Sequence, residues 1–455
     1  MTNSHILLHS TNRKAPDVDF KTAIISGQAV DKGLYMLNQI PKLSPEEIYS
    51  FKELELSEIA FTVILKILGN SIPSSDLKAI LKDALNFPVP VEKITSKDYI
   101  CYLDKGPTCS FKDFGARTLA RVMEHYLKSE NQEIIILTAT SGDTGGAVAQ
   151  AFYNMKNINV VVLYPKQEIS DLQRKQMTTL GNNIMAIGIN GKFDDCQHLV
   201  KTAFTDEQLK HLNLSSANSI NIGRLLPQTI YYFWSYSQVV ESIGEQVVFS
   251  VPSGNFGNLM GGLIAHKMGL PVKKFISAVN ENDEFPRFLE TGKYIKVEPS
   301  KKCISNAMNV GHPSNLARVI DLYGGQIDEK GIVHEEPDLE KLRRDIMSFS
   351  ISDDLTKDTI VKFNERHGGI IEPHGAVGWS ALSIFRKDFP EHATFKAISF
   401  ETADPAKFPE EIVSLIGINP QIPNTLKTIQ TKSEFPNETE INNYNDFEAF
   451  LRKKF

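Results

Sequence analysis

Cysteine is scarce in this chain and never paired: Cys101, Cys109, Cys196 and Cys303 stand far apart, with no CxxC anywhere. That spacing suits neither a zinc knuckle nor a disulfide framework, and it fits a reducing compartment. Long apolar runs are missing as well. None approaches the ~20 residues that cross a bilayer, and residues 1–17 hold no sustained apolar core of a secretory signal. No basic excess exists either, since 49 Lys and Arg against 55 Asp and Glu leave a formal net charge of -6. A nucleic-acid partner needs a basic face to displace counterions, so that class is set aside. There is no GxGxxG, no Walker lysine and no HExxH, which argues against dinucleotides, ATP and a zinc-protease site. A cytoplasmic protein with no membrane partner and no required metal is the expectation.

What the chain does have is an ordinary globular composition, 41% hydrophobic and 23% charged, over 455 residues. That length exceeds what one core organises, so two or three domains are expected. The first hundred residues read mostly as helix. Ser44-Pro45-Glu46-Glu47 is a capping box that opens a helix running toward Gly69. After a breaker cluster at 70–75, a second helix continues through Leu85, and Pro88 and Pro90 close the segment. Then the pattern changes. Short, largely β-branched runs at 134–137, 160–164, 184–189, 247–251 and 275–279 show little alternation, as strands covered on both faces do. Between them lie amphipathic stretches such as Leu119, Val122, Met123, Tyr126 and Leu127. This alternation predicts an α/β protein with one or two parallel sheets flanked by helices. The charged region 335–366 is expected to be helical, and 420–440 a solvated connection before a last short helix.

Ligands of open α/β sheets sit at the carboxyl ends of the strands, so the loops there come next. Thr140-Ser141-Gly142-Asp143-Thr144-Gly145-Gly146 follows the run at 134–137, and Pro252-Ser253-Gly254-Asn255-Phe256-Gly257-Asn258 follows the run at 247–251. The second has the makings of a phosphate cradle: glycines allow close approach, and a helix start supplies N–H groups and a favourable dipole. A tight turn with no ligand satisfies the same pattern. The third loop, Gly106-Pro107-Thr108-Cys109-Ser110-Phe111-Lys112, leads into the helix of residues 117–128. A lysine there opposes the helix dipole. A solvated surface lysine is the plain alternative, but Phe111, Phe114 and Gly115 surround it. A helix N-terminus and apolar neighbours both lower a lysine pKa, as an imine-forming amine needs. Beside phosphate loops, such a lysine points to pyridoxal phosphate.

Several segments together resemble threonine synthases. They are Gly106-Pro107-Thr108-x-Ser110-Phe111-Lys112-Asp113, Thr140-Ser141-Gly142-Asp143-Thr144-Gly145, Asn218-Ser219-Ile220-Asn221, residues 251–258, Ser305-Asn306-Ala307-Met308 and Thr402-Ala403-x-Pro405-Ala406-Lys407-Phe408. Asp31-Lys32-Gly33-Leu34-Tyr35 resembles the family's N-terminal element, and the matches run in order from about 31 to 408. The resemblance implies the fold-type-II pyridoxal-phosphate architecture: two open, twisted, mostly parallel sheets flanked by helices, behind a helical N-terminal segment. The implied domains are 1–100, mainly helical; 101–245, smaller and carrying the lysine; and 246–455, larger and carrying the phosphate loop.

By that resemblance Lys112 carries the cofactor, and Ser253, Gly254, Asn255, Phe256, Gly257 and Asn258 cradle its phosphate. Thr402 faces the pyridine nitrogen, and Asp143 lies by the ring, where many fold-type-II relatives have asparagine. An aspartate there would meet a phenolate of like charge. Ser141 and Thr144 would hold the substrate carboxylate, and Asn221 and Arg224 its phosphate, a task suited to the planar fork of arginine. His374, in Glu372-Pro373-His374-Gly375, is a further candidate for proton transfer, although a loop histidine is more often structural. Lys32, Asn309 and Asp404 depart from the family's glycine, aspartate and histidine. The implied reaction converts O-phospho-L-homoserine and water to L-threonine and phosphate by γ-elimination and β-addition, in a monomer or homodimer. Two rivals stand beside it: a serine/threonine dehydratase-like or β-replacement enzyme, and a non-catalytic protein that only binds the cofactor or phosphorylated ligands.

Overall fold

The computed structural model describes residues 6–130, 132–435 and 440–455. Part of the stretch 1–17, read above for a signal-like apolar core, and part of the 420–440 connection therefore lie outside the described residues. Two sheets organise the chain. The larger runs, in spatial order, Ile346–Ser350, Val272–Val279, Val247–Pro252, Lys396–Glu401, Asp98–Tyr102 and Val91–Lys93. Its first five strands are parallel, and the sixth closes the edge as an antiparallel hairpin partner. The smaller is fully parallel: Ile184–Ile189, Ile158–Pro165, Ile134–Ala139 and Leu214–Ser216.

Every residue of Ile134–Ala139, Val247–Pro252 and Lys396–Glu401 is buried. Helices cover both faces of these strands, which is why their sequences carry apolar runs instead of alternation. Asp98–Tyr102 joins the large sheet although it spans the expected division at residue 100. Its mixed burial made it hard to see as a core strand.

The N-terminal hundred residues hold more than helices. A small antiparallel sheet of Val18–Asp19, Leu7–Ser10 and Tyr35–Leu37 precedes them. The capping box at Ser44 forms as expected, with Glu47 N donating to Ser44 Oγ and Ser44 N to Glu47 Oε2. The helix it opens is Pro45–Ser50, not a run to Gly69. A 3-10 turn follows, Leu54 is extended, and Glu55 and Glu58 cap a new helix, Leu56–Leu68. The break turns Phe51 inward, where its ring meets Phe233 edge-on at 5.8 Å. Arg117 ties the layer down by donating to the carbonyls of Ala84 and Asp83.

Two other expectations are corrected. Region 335–366 is interrupted by the strand Ile346–Ser350, between the helices Leu339–Asp345 and Asp353–His367. That strand is an edge strand, half-buried and short, so its polar residues blurred the signal. The connection at 420–440 contains the helix Asn424–Gln430, and Glu434 binds Arg174 through two nitrogens. The last helix is Tyr444–Lys454. Among the described residues no helix is long and apolar enough to cross a membrane.

Candidate active site

A cavity of about 1190 Å³ is lined from both sheets. The loops that leave the carboxyl ends of Ile134–Ala139, Leu214–Ser216, Val247–Pro252 and Lys396–Glu401 all reach it, as the rule for open α/β sheets requires.

Lys112 is the first residue of the helix Lys112–Glu130. The loop before it is locked by Asp113, which accepts from Thr108 N at 2.8 Å and Thr108 Oγ1 at 2.7 Å. Gly106 packs on that carboxylate so closely that a Cβ would run into it. Lys112 is half-buried and lines the cavity, its Nζ 4.8 Å from the Phe111 ring centre. Among the described residues the amine makes no hydrogen bond or ion pair. Enclosure by protein pushes its pKa down; Asp143 opposes this, and Lys407 and Arg224 add to it. The net effect moves the amine toward its neutral, nucleophilic form.

Across the cavity, Phe256 takes a left-handed φ of 57° just before the helix Gly257–Lys267. The strain is held by its buried ring, packed 4.8 Å from that of Phe285. A Cβ on Gly254 would meet Ala307 O at 2.9 Å, so only glycine fits that turn. Asn258 accepts from the hydroxyls of Tyr231 and Tyr232 at 2.8 Å each, while its buried Nδ2 has no partner among the described residues. An unpartnered amide beside a helix N-terminus fits a phosphate. Gly254, Asn255, Phe256, Gly257 and Asn258 line the cavity; Ser253 instead turns to the sheet, its hydroxyl on Val251 O.

Thr402 follows the strand Lys396–Glu401, and its hydroxyl donates to Glu372 Oε1 at 3.3 Å. Glu372 caps the helix Pro373–Asp388, accepting from the backbone of His374 and Gly375, and its other oxygen meets His374 Nδ1. His374 Nε2 accepts from Ala307 N–H at 3.1 Å. Both ring nitrogens are thus engaged by groups of the protein itself. It positions the loop at Ala307 and steadies Glu372 behind Thr402.

Asp143 answers the charge problem raised by its sequence. Its Oδ1 accepts from Lys407 Nζ at 2.9 Å and from Gln173 Nε2 at 3.0 Å. Burial works against ionisation, but Lys407, Lys112 and Gln173 more than offset it and hold the carboxyl far below the usual range. Asp404, where the family has histidine, stays off the cavity. It caps the turn at Ala406 and lies 3.6 Å from Lys105.

The predicted substrate residues divide. Ser141, Thr144 and Arg224 line the cavity, whereas Asn221 does not. Asn221 is wholly buried: Nδ2 donates to Ile24 O and Ser216 O, and Oδ1 caps Gly223 N. It fixes the short helix Ile222–Leu225 that aims Arg224. Arg224 donates to Ala217 O, but its buried Nε has no partner among the described residues and no carboxylate pairs with it. Burial pushes its pKa down to about 10, still cationic at neutral pH.

A family model described as "Pyridoxal-phosphate dependent enzyme" matches residues 99–398, and one described as "Threonine synthase N terminus" matches residues 8–85. The chain is 41% identical to the threonine synthase of Haemophilus influenzae over 92% of its own length and 93% of that protein's. The chain belongs to the threonine synthase family. The solved threonine synthase of Escherichia coli superposes with a TM-score of 0.88 at 36% identity, covering 99% of this chain and 100% of that one. A pyridoxal-phosphate-bound threonine synthase from Brucella melitensis gives 0.89 at 31%, covering 98% and 99%. The expected fold-type-II architecture, lyase activity and pyridoxal-phosphate cofactor all hold for this member of the family. Family membership accounts for Lys32 as well. It stands at φ 66°, a left-handed position that suits the family's usual glycine. Sequence reasoning assigned no role to Lys407, Gln173 or Glu372. Lys407 and Glu372 lie within matched segments, so membership of a motif was the available signal; Gln173 had none.

Proposed function

We propose that the chain converts O-phospho-L-homoserine and water to L-threonine and phosphate, with Lys112 carrying the cofactor. In this reading residues 254–258 hold the cofactor phosphate, with Ser253 shaping the turn beneath them. Thr402 and Asp143 would hold the cofactor's ring. When bound, pyridoxal phosphate supplies a carbonyl that captures amines and a ring that accepts carbanion charge. The rest falls to the protein. Lys112, its pKa lowered by enclosure, takes the proton from the substrate Cα and passes protons at Cβ and Cγ. Ser141 and Thr144, at the start of the helix Asp143–Phe152, hold the substrate carboxylate with the dipole's favourable end. Arg224 holds the phosphate that leaves Cγ, and water adds at Cβ. The walls of the cavity limit solvent elsewhere.

The observation that carries the substrate is Arg224. A buried guanidinium with no carboxylate partner among the described residues calls for a second anion besides the cofactor phosphate, and a doubly charged phosphate ester supplies it. The four cysteines are free and buried, which supports a cytoplasmic setting. A monomer or homodimer completes the reading.

Purified holoenzyme given O-phosphohomoserine is expected to release phosphate and threonine in equal amounts. Release of 2-oxobutyrate as the main product would move the assignment to a dehydratase-like reaction, and no turnover would leave a binder. Arg224→Gln is expected to raise KM for the phosphorylated substrate at least tenfold, with the cofactor still bound.

A further inference from the structure

Two loops run side by side at the back of the cavity. Phe111 N donates to Thr402 O at 2.9 Å, Asp404 N to Cys109 O at 3.1 Å, and Ser110 and Ala403 form an antiparallel bridge. The pairing brings two lysines to one wall: Lys112 from the first loop and Lys407 from the second. Their surroundings are opposite. Among the described residues Lys112 has no hydrogen-bond or ion-pair partner, while Lys407, 2% exposed, is bound to Asp143, 4% exposed. Gln173 shares the same carboxylate oxygen, so both donors act on Oδ1. Oδ2 accepts no hydrogen bond among the described residues. It is the part of Asp143 left free.

We propose that Lys407 is a positioning residue of the reaction: by claiming Oδ1 of Asp143 it leaves only Oδ2 free, and the pair adds no net charge beside the Lys112 amine. The inference rests on the reading of Lys112 as the cofactor-bearing lysine. Its logic is electrostatic. An unpaired Asp143 carboxylate beside Lys112 would hold that amine as ammonium, unable to attack a carbonyl or accept a proton. An unpaired Lys407 would press it the other way. The remaining charges near Lys112 are Arg224 from the helix Ile222–Leu225 and Glu372 at the cap of Pro373–Asp388. Those near Lys407 are Asp143, the Cys109 thiol and Asp113 from the neighbouring loop. None of these pairs with Asp143. Among the described residues Lys407 alone supplies its counter-charge by direct contact, and it is held as ammonium in return, since Asp143 outweighs the effect of burial. The two lysines cannot exchange roles.

The test compares wild type, Lys407→Met, Asp143→Asn and the double variant. Each full-length protein is stripped of cofactor, and the rate at which pyridoxal phosphate attaches to it is followed by absorbance against pH. The cofactor's own ionisations are common to all four, so differences between profiles report the lysine amine. Lys407→Met is expected to move the profile to higher pH by about 1–3 units and Asp143→Asn to lower pH, with the double variant returning near wild type. Lys407→Arg should stay near wild type. If Lys407→Met does not fold, the expectation rests on Asp143→Asn moving to lower pH and the double variant returning near wild type. Profiles unchanged in the single variants, or shifted in one direction in both, would overturn the inference and leave Lys407 a structural ion-pair partner. Lys112→Ala separates the two levels. A borohydride-fixable cofactor in that variant would sink the Lys112 reading itself, whatever the Lys407 profiles do.

Discussion

Lys112 and Lys407 sit on adjacent loops against one cavity, yet the protein treats them as different chemical groups. Lys112 opens a helix, where the dipole disfavours a cation, and meets only an aromatic face. Lys407 ends a 3-10 turn and lies against a carboxylate. Burial disfavours charge at both, and the partner decides the result: depressed pKa at Lys112, raised pKa at Lys407. Burial alone therefore does not make a lysine reactive. Burial without a counter-ion does.

Removing the first lysine should have the largest effect on activity. Lys112→Ala is expected to lower kcat by roughly 10²–10⁴-fold or more, the range of a positioned acid–base group. Steady-state assays with cofactor in excess measure it. A variant that keeps a tenth of wild-type turnover would mean that Lys407 can substitute, and the contrast would collapse.

For the second lysine the expected loss is first one of stability. Lys407→Met strands a buried carboxylate, a change that costs about 3–5 kcal/mol when one partner of a buried pair is removed. Denaturant titration should find that loss, with Asp143→Asn in the same chain recovering most of it. Lys112→Ala should be close to neutral by the same measure, because no partner is stranded there. Equal destabilisation by both substitutions would break the comparison.

Glu284 extends the same contrast to acids. It is 2% exposed, its Oε2 has no partner among the described residues, and burial pushes its pKa up to about 8. Asp143, buried just as deeply beside a lysine, moves down. The folded state thus holds a proton on Glu284 that the unfolded chain releases near pH 4.5. Stability is fully present below that pH and falls as pH rises toward 8, by up to about 1.4 kcal/mol per unit. Glu284→Gln should flatten the slope of stability against pH in this window. An unchanged slope would place the titration elsewhere.

How much of this was legible in the sequence depends on the range of the interaction. Strands such as Ile134–Ala139 and Val247–Pro252 declared themselves because both faces are covered, so each residue is apolar in its own right. The strand Ile346–Ser350 did not, since an edge position tolerates Ser348 and Ser350 within a charged region. At the site, Lys112 and the loop at 254–258 were readable from local chemistry: a cation at a helix start, glycines at a helix start. The Lys407–Asp143 pair was not, because its partners are 264 residues apart in sequence. Asn221 shows the converse. Its motif put it forward as a ligand to the substrate phosphate, and nothing local said that its amide would be spent on Ile24 and Ser216.

The smallest expected effect probes another cation at the cavity. Arg224 shares the Lys112 condition, being buried without a carboxylate, but as a guanidinium it stays charged and can only bind an anion. Its direction is set by Gly115, one turn into the Lys112 helix, where a Cβ would run into Arg224 O and lie 3.0 Å from Nε. The helix backbone and the short helix Ile222–Leu225 therefore touch directly. Gly115→Ala must displace one of them, at about 1–3 kcal/mol for overpacking. If Lys112 keeps its place and Arg224 moves, KM for the phosphorylated substrate rises while kcat changes little. If kcat falls with KM unchanged, the helix start has moved instead, and the substitution reports on Lys112. Initial rates across substrate concentration distinguish the two, and a result in which neither moves would remove Arg224 from the substrate site.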